Sequence, residues 1–211
     1  MTGEAVRQGV ETLERDAQVI EEEFTELVRK ASEGDKEAFR KLVDRCSPRI
    51  HGIAYQMTGN SEEARDITQE VFIRLYGTLK SYDSKREFST WLYRITVNLA
   101  IDSLRRNRKH KHTGIEDMDE NPSLQDRSPL PDRMVEQNEF KGAIDRLAEG
   151  LAENQRAVFV LRDLQGFTVE EIAGIMKNRP STVRVHLARA REHIRRALSE
   201  HYPEYIGGND R

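Results

Sequence analysis

Apolar residues recur at alternating intervals of four and three from Val6 through Val10, Leu13, Ala17, Ile20, Phe24 and Leu27 to Ala31. That period marks one face of an α-helix, so the chain is predicted to begin with a helix. "EGDKEAFRKLVDRCSPRIHGIAYQMTGN" continues helically, with Asp35 as N-cap and "TGN" as its close. Asn60 and Glu63 then form a capping-box-like start for "SEEARDITQEVFIRLYGTLKSY", in which Ala64, Ile67, Val71, Leu75 and Leu79 share a face opposite a polar one. A further helix, "FSTWLYRITVNLAIDSLRRNRKHKH", turns Trp91, Leu92, Ile95, Leu99 and Leu104 inward.

The period then fails. "TGIEDMDENPSLQDRSPLPDR" carries Pro122, Pro129 and Pro131 among many acids and reads as a flexible linker. Helical periodicity returns in several short pieces, and strand alternation is found nowhere. The expected fold is all-α: two small helical domains joined by a flexible acidic linker. The boundaries are an N-terminal helical extension over 1–23, a first domain over 24–112, the linker over 113–134, a second domain over 135–202 and a tail over 203–211.

Composition narrows the function more by exclusion than by assertion. A single cysteine, Cys46, rules out an internal disulfide or a multi-cysteine metal cluster and fits a reducing cytoplasm. No apolar run approaches the roughly 20 residues a membrane span needs, and "MTGEAVRQGVETLERD" lacks the basic start and apolar stretch of a secretory signal. A cytoplasmic protein without membrane insertion is expected. The net charge of −3 conceals its segregation. Ser84–His112 holds eight basic residues against two acids, and Lys177–Leu198 seven against one, a net of +6 in each; Thr113–Phe140 between them has a net of −6. Two basic faces on either side of an acidic spacer suggest a polyanionic partner.

The sharpest local pattern lies in "TVEEIAGIMKNRPSTVRVHLARAR". Thr168 and Glu171 make a capping box, and Val169, Ile172, Ala173 and Met176 are the inner face of a short helix. After a break at "KNRP", Pro180 suits the first turn of a second helix, whose inner stripe is Val183, Leu187, Ala190, Ile194 and Leu198. This is a helix-turn-helix with an arginine-bearing second helix. A helix of this kind can set arginine forks on guanine edges and on phosphates while hydroxyls near its N-terminus grip a phosphate.

Three ordered stretches, "DITQEVFIRLY" at 66–76, "FSTWLYRITVNLAIDSLRR" at 88–106 and "GFTVEEIAGIMKNRPSTVRVHLARAR" at 166–191, together resemble bacterial RNA polymerase sigma factors of the sigma-70 family, extracytoplasmic-function (ECF, group IV) type. The resemblance covers roughly residues 24–202. It implies that Asp66, Gln69, Glu70 and Ile73, which share one helix side, grip the largest subunits of core RNA polymerase. It implies that the loop over 81–89 cups a flipped base of the melted −10 element, with Tyr82, Arg86, Phe88 and Ser89 as candidates, and that Arg94, Asn98, Arg105 and Arg106 follow the promoter backbone; Arg108 and Lys109 extend that basic run. It implies that Arg179, Ser181, Thr182, Arg184, Val185, His186 and Arg189 meet the −35 duplex. Trp91, on the apolar stripe with Ile95, reads as a core anchor rather than a stacking platform.

The same resemblance implies an anti-sigma factor as a further partner, no enzymatic activity and no cofactor, with the linker threading toward the polymerase's active-site and RNA-exit channels. His110 and His112 lack the Cys or carboxylate partners of a metal site, so no metal is expected. One departure stands out: Lys177 and Asn178 occupy the helix-turn-helix turn where the family commonly has glycine then an aliphatic residue, which puts the geometry of that turn in question. A conventional helix-turn-helix repressor or activator, binding duplex DNA without polymerase, is the rival reading. A nucleic-acid hydrolase is the weaker one, since the chain has no glycine-rich phosphate loop and no HExxH.

Overall fold

The computed structural model describes residues 23–82, 87–112, 147–148 and 150–201. Among these the regular elements are all helical: α1 over residues 23–32, α2 Lys36–Thr58, α3 Ser61–Thr78, α4 Phe88–His112, α5 Glu153–Phe159, α6 Val169–Met176 and α7 Pro180–His201. A 3₁₀ turn, Leu79–Ser81, follows α3, and a π-helical turn, Val160–Leu164, follows α5. Residues 1–22 of the expected N-terminal extension, the expected linker over 113–134, the tail over 203–211 and Arg86 lie outside the described residues.

Helices α2, α3 and α6 start where the sequence supplies a side-chain cap, whereas α5 starts after Ala152 without one. The Asp35 carboxylate accepts from the amides of Glu37 and Ala38 at 2.9 and 3.1 Å, and α2 stops at Gly59, whose φ of 73° and N–H hydrogen bond to the Tyr55 carbonyl close the last turn. Pro48 sits inside α2, removing one ladder donor without ending the helix. Asn60 caps α3 through the amides of Glu62 and Glu63. Here the sequence pattern is only half realised. Glu63 does not reach back to its own cap; its carboxylate accepts from Ser103 Oγ at 2.9 Å and Asn107 Nδ2 at 2.6 Å, tying α3 to the middle of α4.

The first lobe packs α1 to α4 around Leu42, Ile50, Ile53, Met57, Val71, Leu75, Leu92 and Val97, all essentially inaccessible to water. Every member of the α3 stripe predicted from the sequence, from Ala64 to Leu79, is buried. The N-terminal helix belongs to this body over its described part, burying Val28 and Ala31. In the second lobe the inner stripe of α7 meets α5 and α6, with Leu147, Ala148, Leu151 and Phe159 packed on Ala190 and Ile194. The two lobes are not separate. One buried cluster runs from Leu42 and Val71 through Val97 to Ile172, Ile175, Val183 and Leu187, because α4 packs on α2 and α3 by one side and on α5 and α6 by another.

Candidate protein-docking and nucleic-acid surfaces

The polar side of α3 is the first surface. Asp66, Gln69 and Ile73 are exposed, while Glu70 is half-buried and accepts from Arg74 Nε at 2.7 Å, an i,i+4 pair on the helix surface. Ile73 is 57% exposed, and Tyr76, one turn further, is 59% exposed. Two large apolar side chains one turn apart are thus left in water on a charged helix face. Tyr76 was not among the sequence candidates, although its i,i+3 spacing from Ile73 on the polar side was visible. Its ring stands edge-on to Phe39 of α2 at 5.0 Å, so α2 fixes its position.

The start of α4 forms the second surface. Phe88 is 6% exposed and sits in a box of rings: Phe24 of α1 at 5.5 Å, Tyr82 at 5.6 Å and Trp91 at 5.9 Å, all edge-on. Tyr82 stacks on Trp91 at 5.1 Å with planes 21° apart. Trp91 thus packs among the rings next to the apolar stripe, and Phe88 with it. Ser89 and Thr90 donate their hydroxyls to the two carboxylate oxygens of Glu87 at 2.8 Å each, which organises the first turn of α4.

Further along α4, Asn98, Arg105 and Arg106 are exposed. Arg105 lies 3.9 Å from Asp102. Asn98 and Arg105 line a cleft of about 370 Å³ that also holds Arg74, Asn154 and Asn178, at the junction of the two lobes. Arg94 is placed differently from its neighbours. Its guanidinium donates to the carbonyls of Gly174 at 2.7 Å and Ile175 at 3.2 Å, across the seam in α6.

The third surface is α7. Thr168 and Glu171 form the full capping box of α6, with the Glu171 amide on Thr168 Oγ1 and the Thr168 amide on the Glu171 carboxylate. Those hydrogen bonds from the Thr168 backbone, then its side chain, hold the Glu171 carboxyl below its ordinary value. The turn that follows is left-handed without a glycine: Lys177 takes φ 53° and ψ 39°, the only non-glycine residue among those described with positive φ. A side chain in this region costs about 1 kcal/mol or more. Arg179, Ser181, Arg184, Val185 and Arg189 are exposed, and Thr182 and His186 half-buried. Val185 is 48% exposed. Arg184 reaches Glu170 at 3.2 Å, and Arg191 is held bidentate by Asp163 at 3.0 and 2.5 Å, so Arg191 ties α7 to the turn after α5 while Arg189 is left outward.

Among the described residues no group of His, Cys, Asp and Glu could hold a metal ion, and no helix is long and apolar enough to cross a membrane. Burial pushes the Cys46 thiol up to about 11, which makes it a poor nucleophile.

Residues 42–110 match the sigma-70 region 2 family, and residues 141–194 match sigma-70 region 4. The chain is 33% identical over 178 residues to the ECF RNA polymerase sigma factor SigW of Bacillus subtilis, covering 82% of this chain and 95% of that protein. It is 33% identical over 173 residues to the ECF RNA polymerase sigma-E factor of Escherichia coli K12, covering 80% and 90%. Its fold is similar to that of CnrH, solved in complex with the cytosolic domain of CnrY, with a TM-score of 0.62, 21% identity, and coverage of 85% of this chain and 99% of that one. It is also similar to the sigma factor RpoE solved with the anti-sigma factor NepR from Bartonella quintana, with a TM-score of 0.57, 18% identity, and coverage of 76% and 96%.

Proposed function

Because this chain belongs to the ECF family of RNA polymerase sigma factors, we propose a division of its surface among core polymerase, the −10 element and the −35 element. The α3 face of Asp66, Gln69, Glu70 and Ile73, extended by Tyr76, docks on core RNA polymerase. The observation that carries this assignment is the pair of large apolar side chains, Ile73 and Tyr76, held in water on an otherwise polar helix side. The first lobe, residues 24–112, opens the −10 element, with Asn98, Arg105 and Arg106 on the DNA backbone and the segment between Tyr82 and Phe88 at the melted bases. Burial of Phe88 and the stacking of Tyr82 on Trp91 favour a role for both as walls that fix the ends of that segment. The second lobe, 135–202, reads the −35 duplex with the outward side of α7.

The protein acts as a cytoplasmic, non-enzymatic initiation factor, released from polymerase and controlled by an anti-sigma factor. Support for such a partner comes from RpoE, whose solved complex contains one. The test is retention on core polymerase. Asp66→Ala with Gln69→Ala is expected to lower core affinity at least tenfold with an unchanged helical circular-dichroism spectrum. Unchanged co-elution with core would move the polymerase interface off α3.

A further inference from the structure

Three acids around the helix-turn-helix are held by partners that are not candidates for reading DNA. Asp163 holds Arg191, Glu192 accepts from Arg195 at 2.6 Å within α7, and Glu171 closes the capping box. Glu170 is placed differently. From the first turn of α6 it accepts from Arg184 Nη2 of α7 at 3.2 Å, between side chains 68% and 62% exposed. A negative charge is thereby set, across 14 residues of sequence, beside the outward side of α7 that carries Arg184, Val185 and Arg189.

Stability does not account for this pair. An ion pair so open to water adds little, and the positive end of the α6 dipole already has a carboxylate in Glu171. Near duplex DNA a carboxylate is repelled by the phosphates and weakens binding to every sequence alike. An arginine that meets a phosphate needs charge above all and gains nothing from an acid at its side; Arg179 and Arg189 have no acid partner among the described residues. An arginine that reads a guanine needs its fork held in one plane, on a long stem with many rotamers. A carboxylate that takes one Nη hydrogen restricts that stem before binding and leaves the other donors of the fork for the base. Lower affinity for all duplexes, recovered where the fork meets its base, is a gain in discrimination.

We propose that Glu170 is a positioning residue for promoter choice: it sets the Arg184 fork for the O6 and N7 acceptors of a guanine in the −35 duplex and disfavours duplex that lacks it. The proposal rests on the sigma reading given above.

Holoenzyme assembled from core polymerase and the full chain, bound to a promoter library randomised across the −35 element, tests it when the retained sequences are counted. The parent should prefer guanine at one position, and Arg184→Ala should abolish that preference. Glu170→Ala should lower the same preference about fivefold or more, with no further loss in the double variant and an unchanged helical circular-dichroism spectrum. Its affinity for a duplex with a scrambled −35 element should rise about twofold at low salt, since one repulsive charge is gone. Glu170→Gln, which keeps an acceptor without the charge, should raise that affinity equally and retain more of the guanine preference than Glu170→Ala. The proposal is overturned if Glu170→Ala keeps the full preference, loses it at a different position from Arg184→Ala, or adds to the loss in the double variant. It is overturned equally by an Arg184-dependent preference for another base, or by a fall in affinity for selected and scrambled duplexes alike. Each of these leaves the sigma reading standing. A parent holoenzyme that enriches no −35 sequence over core polymerase alone defeats the −35 assignment itself, and this proposal with it.

Discussion

Arg184, Arg189, Arg191 and Arg94 show how little a residue's type says about its job until its partners are known. All four are arginines in basic segments of the sequence. Arg191 is held in a bidentate pair with Asp163 of the π-helical turn, 28 residues away in sequence, which makes it a strut. Arg94 donates across to the α6 carbonyls of the second lobe. Arg189 points outward, and Arg184 has only an exposed partner, Glu170, of the sort that contributes little to stability. Arg184→Ala and Arg189→Ala should therefore leave stability nearly unchanged while weakening −35 duplex binding by about 1 to 3 kcal/mol wherever the side chain reads a base edge. Titration of polymerase holoenzyme with promoter fragments that differ only at −35 measures this, and equal affinity for both variants and the parent would remove the arginines from the reading face. Net charge along the sequence could locate the basic surface. It could not sort struts from reading groups, because that sorting depends on which acid folds back from a distant turn.

Helix boundaries were the most legible feature at the scale of elements, because caps are local chemistry. Asp35, Asn60, Thr168 with Glu171 and Pro180 all occupy the terminal positions their types suggest. The exception, Glu63, bonds to α4 in place of its own cap, a contact across 40 residues of sequence that no local pattern carries. The turn at Lys177 offers a direct energetic check. A left-handed conformation costs a lysine about 1 to 2 kcal/mol that glycine avoids, offset in part by glycine's greater freedom in the unfolded chain. Lys177→Gly should raise the unfolding free energy by about 0.5 to 1 kcal/mol in urea titration; a loss of stability would mean that the lysine side chain makes a contribution its exposed position does not suggest. The same local physics sets a pH effect. Glu171 is held below its ordinary value by the Thr168 bonds, so its stabilisation of the capping box is present at neutral pH and is lost as pH falls through and below the usual glutamate range.

Across the whole molecule, periodicity and charge were enough to predict an all-helical chain with two basic regions, yet they gave no hint that the regions share a core. The reason is physical. α4 is apolar on more than one side, with Leu92, Val97, Ala100 and Ile101 all buried, and a sequence pattern reports that such a side is covered without reporting by what. Tyr93 illustrates this: its ring meets Phe167 of the second lobe edge-on, with the Arg49 guanidinium over both. The exposed side of α3 was legible through Asp66, Gln69 and Ile73, and only Tyr76 needed the fold, because an aromatic at helical spacing reads by default as core. The functional claim concerns the molecule as one unit: a docking helix, a −10 lobe and a −35 lobe that together confer promoter choice on a polymerase that lacks it. Transcription by purified core polymerase from a set of promoter fragments, with and without this chain, measures that property. Transcripts that start at defined sites only when the chain is present, and that vanish when either the −10 or the −35 sequence is scrambled, are the expected result; transcription by core that is unchanged by adding the chain would contradict it.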